Sequence, residues 1–196
     1  MCKLKTTLNY LAGLVAGDGT LYYYRRNHEY FTYVYDNNRK FLETIGRMVS
    51  SVAKVKYTIV KPSKTQNYYR LQFTCKKIFD EIKQRMKDKR AKPVKAFIRG
   101  FIDAEGSLIM RKDGSIELVI ASTDRELMKR MSKWLTKRGF KNIITKHRGK
   151  GNRKPIYAIR IRGWIYVERL IQEVKPLHPK IVQKFNEFKG RRSPLP

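Results

Sequence analysis

Two nine-residue stretches decide the fold: LAGLVAGDG at residues 11–19 and IRGFIDAEG at residues 98–106. At an offset of 87, Gly13 matches Gly100, Gly17 matches Ala104, Asp18 matches Glu105 and Gly19 matches Gly106. Each stretch carries apolar residues at helical spacing, then an acid and a glycine where that spacing stops. A repeat at a fixed offset sets the architecture before any detail does. Nothing in helix formation alone requires an acid–glycine pair to recur at the same place in each half.

The flanking sequence repeats in the same order. In the first half a helix is predicted over 6–17, with Leu8, Leu11, Leu14 and Val15 on one face, and then a β-branched and aromatic hairpin broken at Asn27-His28. Helical spacing returns at Phe41, Leu42, Ile45, Met48 and Val49, followed by strands over 55–61 and 67–74 and a helix over 76–88. In the second half Pro93 suits the first turn of a helix reaching Glu105-Gly106. Strands over 107–112 and 115–121 follow, then a helix capped by Asp124. Two strands flank a Gly/Lys/Arg loop at 149–154, then comes a helix over 163–174. An extra helix at 179–188 precedes a tail, GRRSPLP, expected to be disordered. The chain is therefore expected to be α+β, built as two pseudo-symmetric αββαββα halves over 1–90 and 91–196.

Small residues four apart, Gly13/Gly17 and Gly100/Ala104, let two helix backbones approach closely. If the two helices pack along those faces, Asp18 and Glu105 emerge side by side at one end. A helix C-terminus is the negative end of the dipole, so carboxylates gain nothing there from capping. Carboxylates beside unsatisfied backbone carbonyls suit a hard divalent cation, with Mg²⁺ keeping several waters and taking phosphate oxygens as further ligands.

Composition points to the same partner. The 196 residues carry 45 Lys plus Arg against 16 Asp plus Glu, a formal net charge of +29. Charge this one-sided opposes folding by self-repulsion, and a polyanion relieves it; nucleic acid is the first expectation. With 41% hydrophobic and 12% aromatic residues the chain can bury a core, which excludes a disordered basic arm. The longest uncharged stretches are too short and polar to span a membrane. No leader pattern is present, so an intracellular location, in cytoplasm, nucleoid or an organelle, is expected. Cys2 and Cys75 form no CxxC pair, and His28, His147 and His178 are too scattered for a histidine metal helix. Beside a chain this basic, paired carboxylates that suit a divalent cation point to metal-assisted phosphodiester hydrolysis.

The two stretches resemble the paired signatures of LAGLIDADG homing endonucleases in their single-chain, two-motif form, and the resemblance covers nearly the whole chain. It implies a monomer whose antiparallel sheets form a DNA-binding saddle and whose halves pack through the two motif helices. It also implies site-specific double-strand cleavage of a long non-palindromic target across the minor groove, leaving 3′ overhangs. The family's catalytic, metal-binding acids fall on Asp18 and Glu105, with the carbonyls of Gly17 and Ala104 as further ligands. Mg²⁺ is the implied metal, with Mn²⁺ able to substitute. Relatives often carry Gln or Lys where the second strand of each half meets its helix. Here those places read Asp36-Asn37 and Ser122-Thr123, which leaves solvent rather than a side chain as the proton acceptor. Two alternatives share the fold: an RNA maturase acting on its own intron, and a DNA-binding protein without cleavage. An intein is disfavoured, since the repeat nearly fills the chain and no terminal His-Asn follows.

Strand alternation supplies the DNA-contact candidates. Leu21 and Tyr23 should face the helices, leaving Tyr22, Tyr24 and Arg26 outward; Tyr33, Tyr35, Arg70 and Gln72 follow by the same rule. The second half offers Arg111, Glu117, Arg160 and Arg162. Arg with guanine and Gln with adenine are the matching major-groove pairs.

Overall fold

The computed structural model describes residues 2–63, 65–87, 93–148 and 154–191. The chain divides into two compact units, Met1–Ala104 and Glu105–Pro196. The first holds α1 (Cys2–Asp18), β1 (Gly19–Tyr24), β2 (Glu29–Asp36), α2 (Arg39–Ala53), β3 (Tyr57–Val60), β4 (Tyr69–Thr74), α3 (Lys76–Lys87) and nearly all of α4 (Lys95–Glu105). The second holds β5 (Gly106–Met110), β6 (Ile116–Ser122), α5 (Arg125–Lys137), β7 (Ile143–His147), β8 (Ile156–Arg162), α6 (Trp164–Val174) and α7 (Pro179–Gly190). Each has one four-stranded antiparallel sheet, in the order β1-β2-β4-β3 and β5-β6-β8-β7. The identical strand order is the repeat expressed as topology. Among the described residues no helix is long and apolar enough to cross a membrane.

In the first unit, one face of the sheet is closed by apolar side chains from the helices. Val34, Leu71 and Phe73 from the strands pack with Leu11 and Leu14 of α1, Leu42 and Ile45 of α2, and Ile82 of α3, all essentially inaccessible to solvent. Helix α4 belongs to this unit because it lies against α1. A Cβ on Gly13 would stand 2.1 Å from the carbonyl oxygen of Phe97, and one on Gly100 would stand 2.1 Å from that of Tyr10. Compactness therefore divides the chain after Ala104, whereas the sequence repeat begins anew near residue 91. In the second unit Leu108, Leu118, Ile120, Ile159 and Ile161 form the buried sheet face, covered by Met128, Met131, Val167, Leu170 and Ile181.

Local structure departs from expectation in a few places. Helix α1 begins at Cys2 rather than near residue 6, since nothing in KLKTT breaks a helix and Leu4 is partly covered. Pro93 stands outside α4 rather than in its first turn; the Val94 carbonyl accepts the first helical bond, from the Ile98 N–H at 3.1 Å. The loop at 149–154, apart from Lys154, and the tail beyond Arg191 lie outside the described residues.

Candidate nucleic-acid interface and helix-end acids

Asp18 is the last residue of α1 and Glu105 the last of α4, and each is half-buried. The glycine after each begins a strand. At Gly19 the reason is steric, because a Cβ would meet the Val15 Cα at 2.5 Å and the Tyr33 carbonyl oxygen at 2.6 Å. At each acid–glycine pair a helix turns directly into a strand, and at Gly19 there is no room for a side chain. Gly17 is half-buried and Ala104 is buried. Among the described residues no three His, Cys, Asp or Glu side chains gather as a metal site. The Asp18 and Glu105 carboxylates and the carbonyls of Gly17 and Ala104 are each hard oxygen donors. That chemistry fits Mg²⁺ or Mn²⁺, which fill their remaining positions with water and phosphate oxygens.

A buried polar pair joins α1 to α4, two residues before the end of α4. The Tyr10 hydroxyl donates to Asp103 Oδ2 at 2.7 Å, and both residues are almost fully buried. Burial raises the Tyr10 hydroxyl well above the ordinary tyrosine value, and the Asp103 charge and hydrogen bond push it further.

The stretches where the second strand of each sheet meets its helix have a structural task. Asp36 Oδ1 accepts the Asn38 N–H at 2.6 Å, and Asn38 Oδ1 accepts the Phe41 N–H at 3.0 Å, capping α2. The second unit repeats the device, with Ser122 Oγ accepting the Asp124 N–H at 3.1 Å and Asp124 Oδ1 accepting the Leu127 N–H at 2.9 Å. Asn37 and Thr123, between turn and cap, are exposed.

The sheet faces away from the helices carry the contact candidates. In the first unit Tyr22, Tyr33, Tyr35, Arg70 and Gln72 share that face, with Tyr33 opposite Gln72 and Tyr35 opposite Arg70. Tyr24 lies there too, stacked near Tyr22 at 6.4 Å between ring centroids. The Arg70 guanidinium sits over the Tyr33 ring at 4.5 Å, a cation–π contact, and its buried Nε has no hydrogen-bond partner. Phe31 was missed, though the alternation that selects Tyr33 and Tyr35 also selects it; it bridges Tyr22 and Tyr33 at 6.5 and 5.5 Å. Tyr23 lies on the helix side as expected and stacks on Tyr30 at 4.7 Å, yet keeps 36% of its surface exposed. Arg26 is an exposed residue of the hairpin turn, not of a strand, because the chain reverses at His28 in the left-handed region (φ 53°).

In the second unit the corresponding face is ionic. Arg160, Arg162 and Glu117 lie on it, and Arg111 follows the end of β5. Glu117 is not presented as a contact: it is 1% exposed beneath the arginines. Its carboxylate accepts from Arg111 Nη1 at 2.7 Å and from Arg162 Nε at 2.8 Å, and Arg160 Nη1 lies at 3.2 Å. Burial would raise this carboxyl, but the hydrogen bonds and charges of Arg162 and Arg160 hold it below the ordinary glutamate value. Strand pairing gives the position a partner in the first unit. Gly19 pairs with Val34 and Gly106 with Ile120, so Phe31, three before Val34, is the counterpart of Glu117. One position is aromatic in one sheet and a buried anion in the other.

These features define a two-sheet protein with an acid closing one helix in each repeat. The family model described as the LAGLIDADG-like domain matches residues 92–175, most of the second half of the chain. The homing endonuclease I-ApeI of Aeropyrum pernix is 26% identical over 209 residues, spanning 96% of this chain and 90% of that protein. A solved structure of an I-DmoI variant, in complex with its target DNA nicked in one strand and with Mn, shares the fold. Its TM-score is 0.70 at 21% identity over 88% of this chain and 97% of that one. I-DmoI in complex with DNA and Ca gives 0.67 at 23% identity, covering 94% and 99%. Full-length DUF199/WhiA from Thermatoga maritima gives 0.66 at 12% identity, covering 98% of this chain and 62% of that one.

Proposed function

We propose that this chain is a site-specific DNA endonuclease that makes metal-dependent double-strand breaks at a long, non-palindromic target. The observation that carries this reading is the acid closing α1 and the acid closing α4, each followed by a glycine that starts a strand. The two sheet faces that point away from the helices would hold the duplex. Their different surfaces, aromatic in one unit and ionic in the other, suit two unlike half-sites. Asp18 and Glu105 would hold the divalent cation together with the carbonyls of Gly17 and Ala104. The metal would supply charge stabilisation at the scissile phosphate and a more acidic water. The likeness to I-ApeI and to the I-DmoI complexes with DNA and Mn or Ca supports both the activity and the metal. We further propose that the chain acts as a monomer inside the cell, leaves 3′ overhangs and prefers Mg²⁺, with Mn²⁺ as a substitute.

The test is incubation of the purified protein with a randomised duplex library and Mg²⁺, followed by sequencing of the cut ends. Recovery of one long, asymmetric consensus with staggered 3′ ends is expected. Binding without cleavage at any divalent metal would favour the non-catalytic reading, and a preference for structured intron RNA over duplex DNA would favour the maturase. Affinity for duplex should fall steeply with salt, by about 0.9 in log–log slope for each phosphate neutralised.

A further inference from the structure

The arginine cluster of the second unit is organised around one buried anion, and the three arginines are not equivalent. Arg111 and Arg160 spend a terminal Nη1 on Glu117. Arg160 also directs its Nε to Thr145 Oγ1 at 3.4 Å, and its side chain is only 22% exposed. Arg162 instead donates through Nε, at 2.8 Å, and its side chain is 52% exposed. An arginine anchored at Nε keeps both terminal amino groups as an end-on fork, the geometry that reads the O6 and N7 of guanine. An arginine that gives a terminal nitrogen to a carboxylate already has one prong of that fork engaged and turned toward the protein.

Resting on the nuclease reading above, we propose that Glu117 is a positioning residue that makes Arg162 the guanine-reading arginine of the second unit. Arg111 and Arg160 neutralise phosphate or close the cluster over the carboxylate. Three guanidiniums on one patch would repel one another and splay toward the nearest phosphates. A single carboxylate beneath them offsets that repulsion and fixes one side chain in a rotamer before DNA arrives, so less freedom is lost on binding. The first unit uses a different device at the equivalent place, where Phe31 joins the aromatic row and Arg70 is held over Tyr33. The asymmetry predicts that guanine preference depends on a buried carboxylate in one half-site only.

The experiment selects the target of the full-length wild-type chain from a randomised duplex library, then repeats the selection with Glu117→Gln and with Arg162→Lys. Both variants should lose about tenfold of the discrimination for guanine at the same one or two adjacent base pairs, with the rest of the consensus intact. The double variant should lose no more than either single one. A loss spread evenly over the target, losses at different base pairs, or an unchanged guanine preference in Glu117→Gln would overturn the proposal while leaving the nuclease reading in place. A wild-type chain that selects no duplex overturns both. Should Glu117→Gln fail to fold, Arg160→Lys and Arg111→Lys decide. They are expected to weaken binding evenly across sequences, and a base-specific loss in either that matches Arg162→Lys would overturn the proposal.

Discussion

Gly13 and Gly100 occupy reciprocal positions: each faces a backbone carbonyl of the opposite helix, Phe97 for Gly13 and Tyr10 for Gly100, with no space for a methyl group. The contact explains why the two signature stretches match at these glycines. It also places α4 in one compact unit with α1 although more than seventy residues separate them in the chain.

Gly13→Ala and Gly100→Ala should each destabilise the fold. Alanine gains about 1 kcal/mol of helix propensity over glycine. Driving a methyl group into backbone costs typically 1–3 kcal/mol, and more where nothing can yield. A net loss of roughly 1–2 kcal/mol is expected. Gly190→Ala near the end of α7, where an added Cβ meets nothing within 4 Å, should be neutral or stabilising. Urea denaturation of the three variants checks the opposite signs.

Tyr10→Phe removes a hydrogen bond to the buried Asp103 carboxylate and should cost about 1–3 kcal/mol near neutral pH. The raised Tyr10 value gives the effect a pH signature. A hydroxyl whose folded value lies above its unfolded value of about 10 contributes stability that is fully present below that pH and is lost as pH rises through the folded value. The stability difference between wild type and variant should therefore shrink in strong alkali. Denaturation curves between neutral pH and the alkaline limit, read with tyrosinate absorbance, measure it.

Asp18→Asn and Glu105→Gln should each abolish double-strand cutting while leaving duplex affinity within a fewfold of wild type. Under the proposed function binding energy would come mainly from the sheets, whereas the acids would act at the metal. Cleavage of both strands at the wild-type rate by either variant would remove that acid from the machinery.

Glu117 should make stability acid-sensitive. Its folded value lies below that of an ordinary glutamate. The stabilisation is then fully present above the unfolded value of about 4.3 and is lost as pH falls through the folded value. Glu117→Gln should flatten that part of the stability–pH curve and leave the neutral-to-alkaline limb unchanged, which thermal melts across acid pH would show.

Asn38→Ala and Asp124→Ala each remove a helix cap and should each cost about 1 kcal/mol. Asn37→Ala and Thr123→Ala, at the exposed positions between turn and cap, should leave stability unchanged and lower the cleavage rate about tenfold, near 1.4 kcal/mol. A loss as large as that of Asp18→Asn would assign these side chains to the reaction itself. Melting curves and single-turnover cleavage separate the two pairs.

Local pattern carried much of this protein. Helical spacing at Leu8, Leu11 and Leu14, and strand alternation at Tyr33, Tyr35, Arg70 and Gln72, depend on one element at a time, and each is found where its period places it. The duplicated Asp18 and Glu105 were legible for a related reason, because a repeat is a property of order along the chain. Phe31 was legible by the same alternation and was passed over. Arg26 is exposed in the hairpin, but in its turn, where the two-residue period no longer applies.

The role of Glu117 had no such local signal. Alternation put it on the outer face, which suggested a contact, but its burial comes from Arg162, 45 residues away, and from Arg160 and Arg111. Those neighbours are set by β8 lying beside β6, a matter of strand order and register. The Tyr10–Asp103 bond, across 93 residues, is the same kind of fact. Periodicity tells which side of an element a residue occupies, because backbone geometry repeats along the chain. Which charge stands opposite it depends on how distant elements pack, and there the hydrogen bonds and desolvation of the assembled fold turn an apparent contact into a buried anchor.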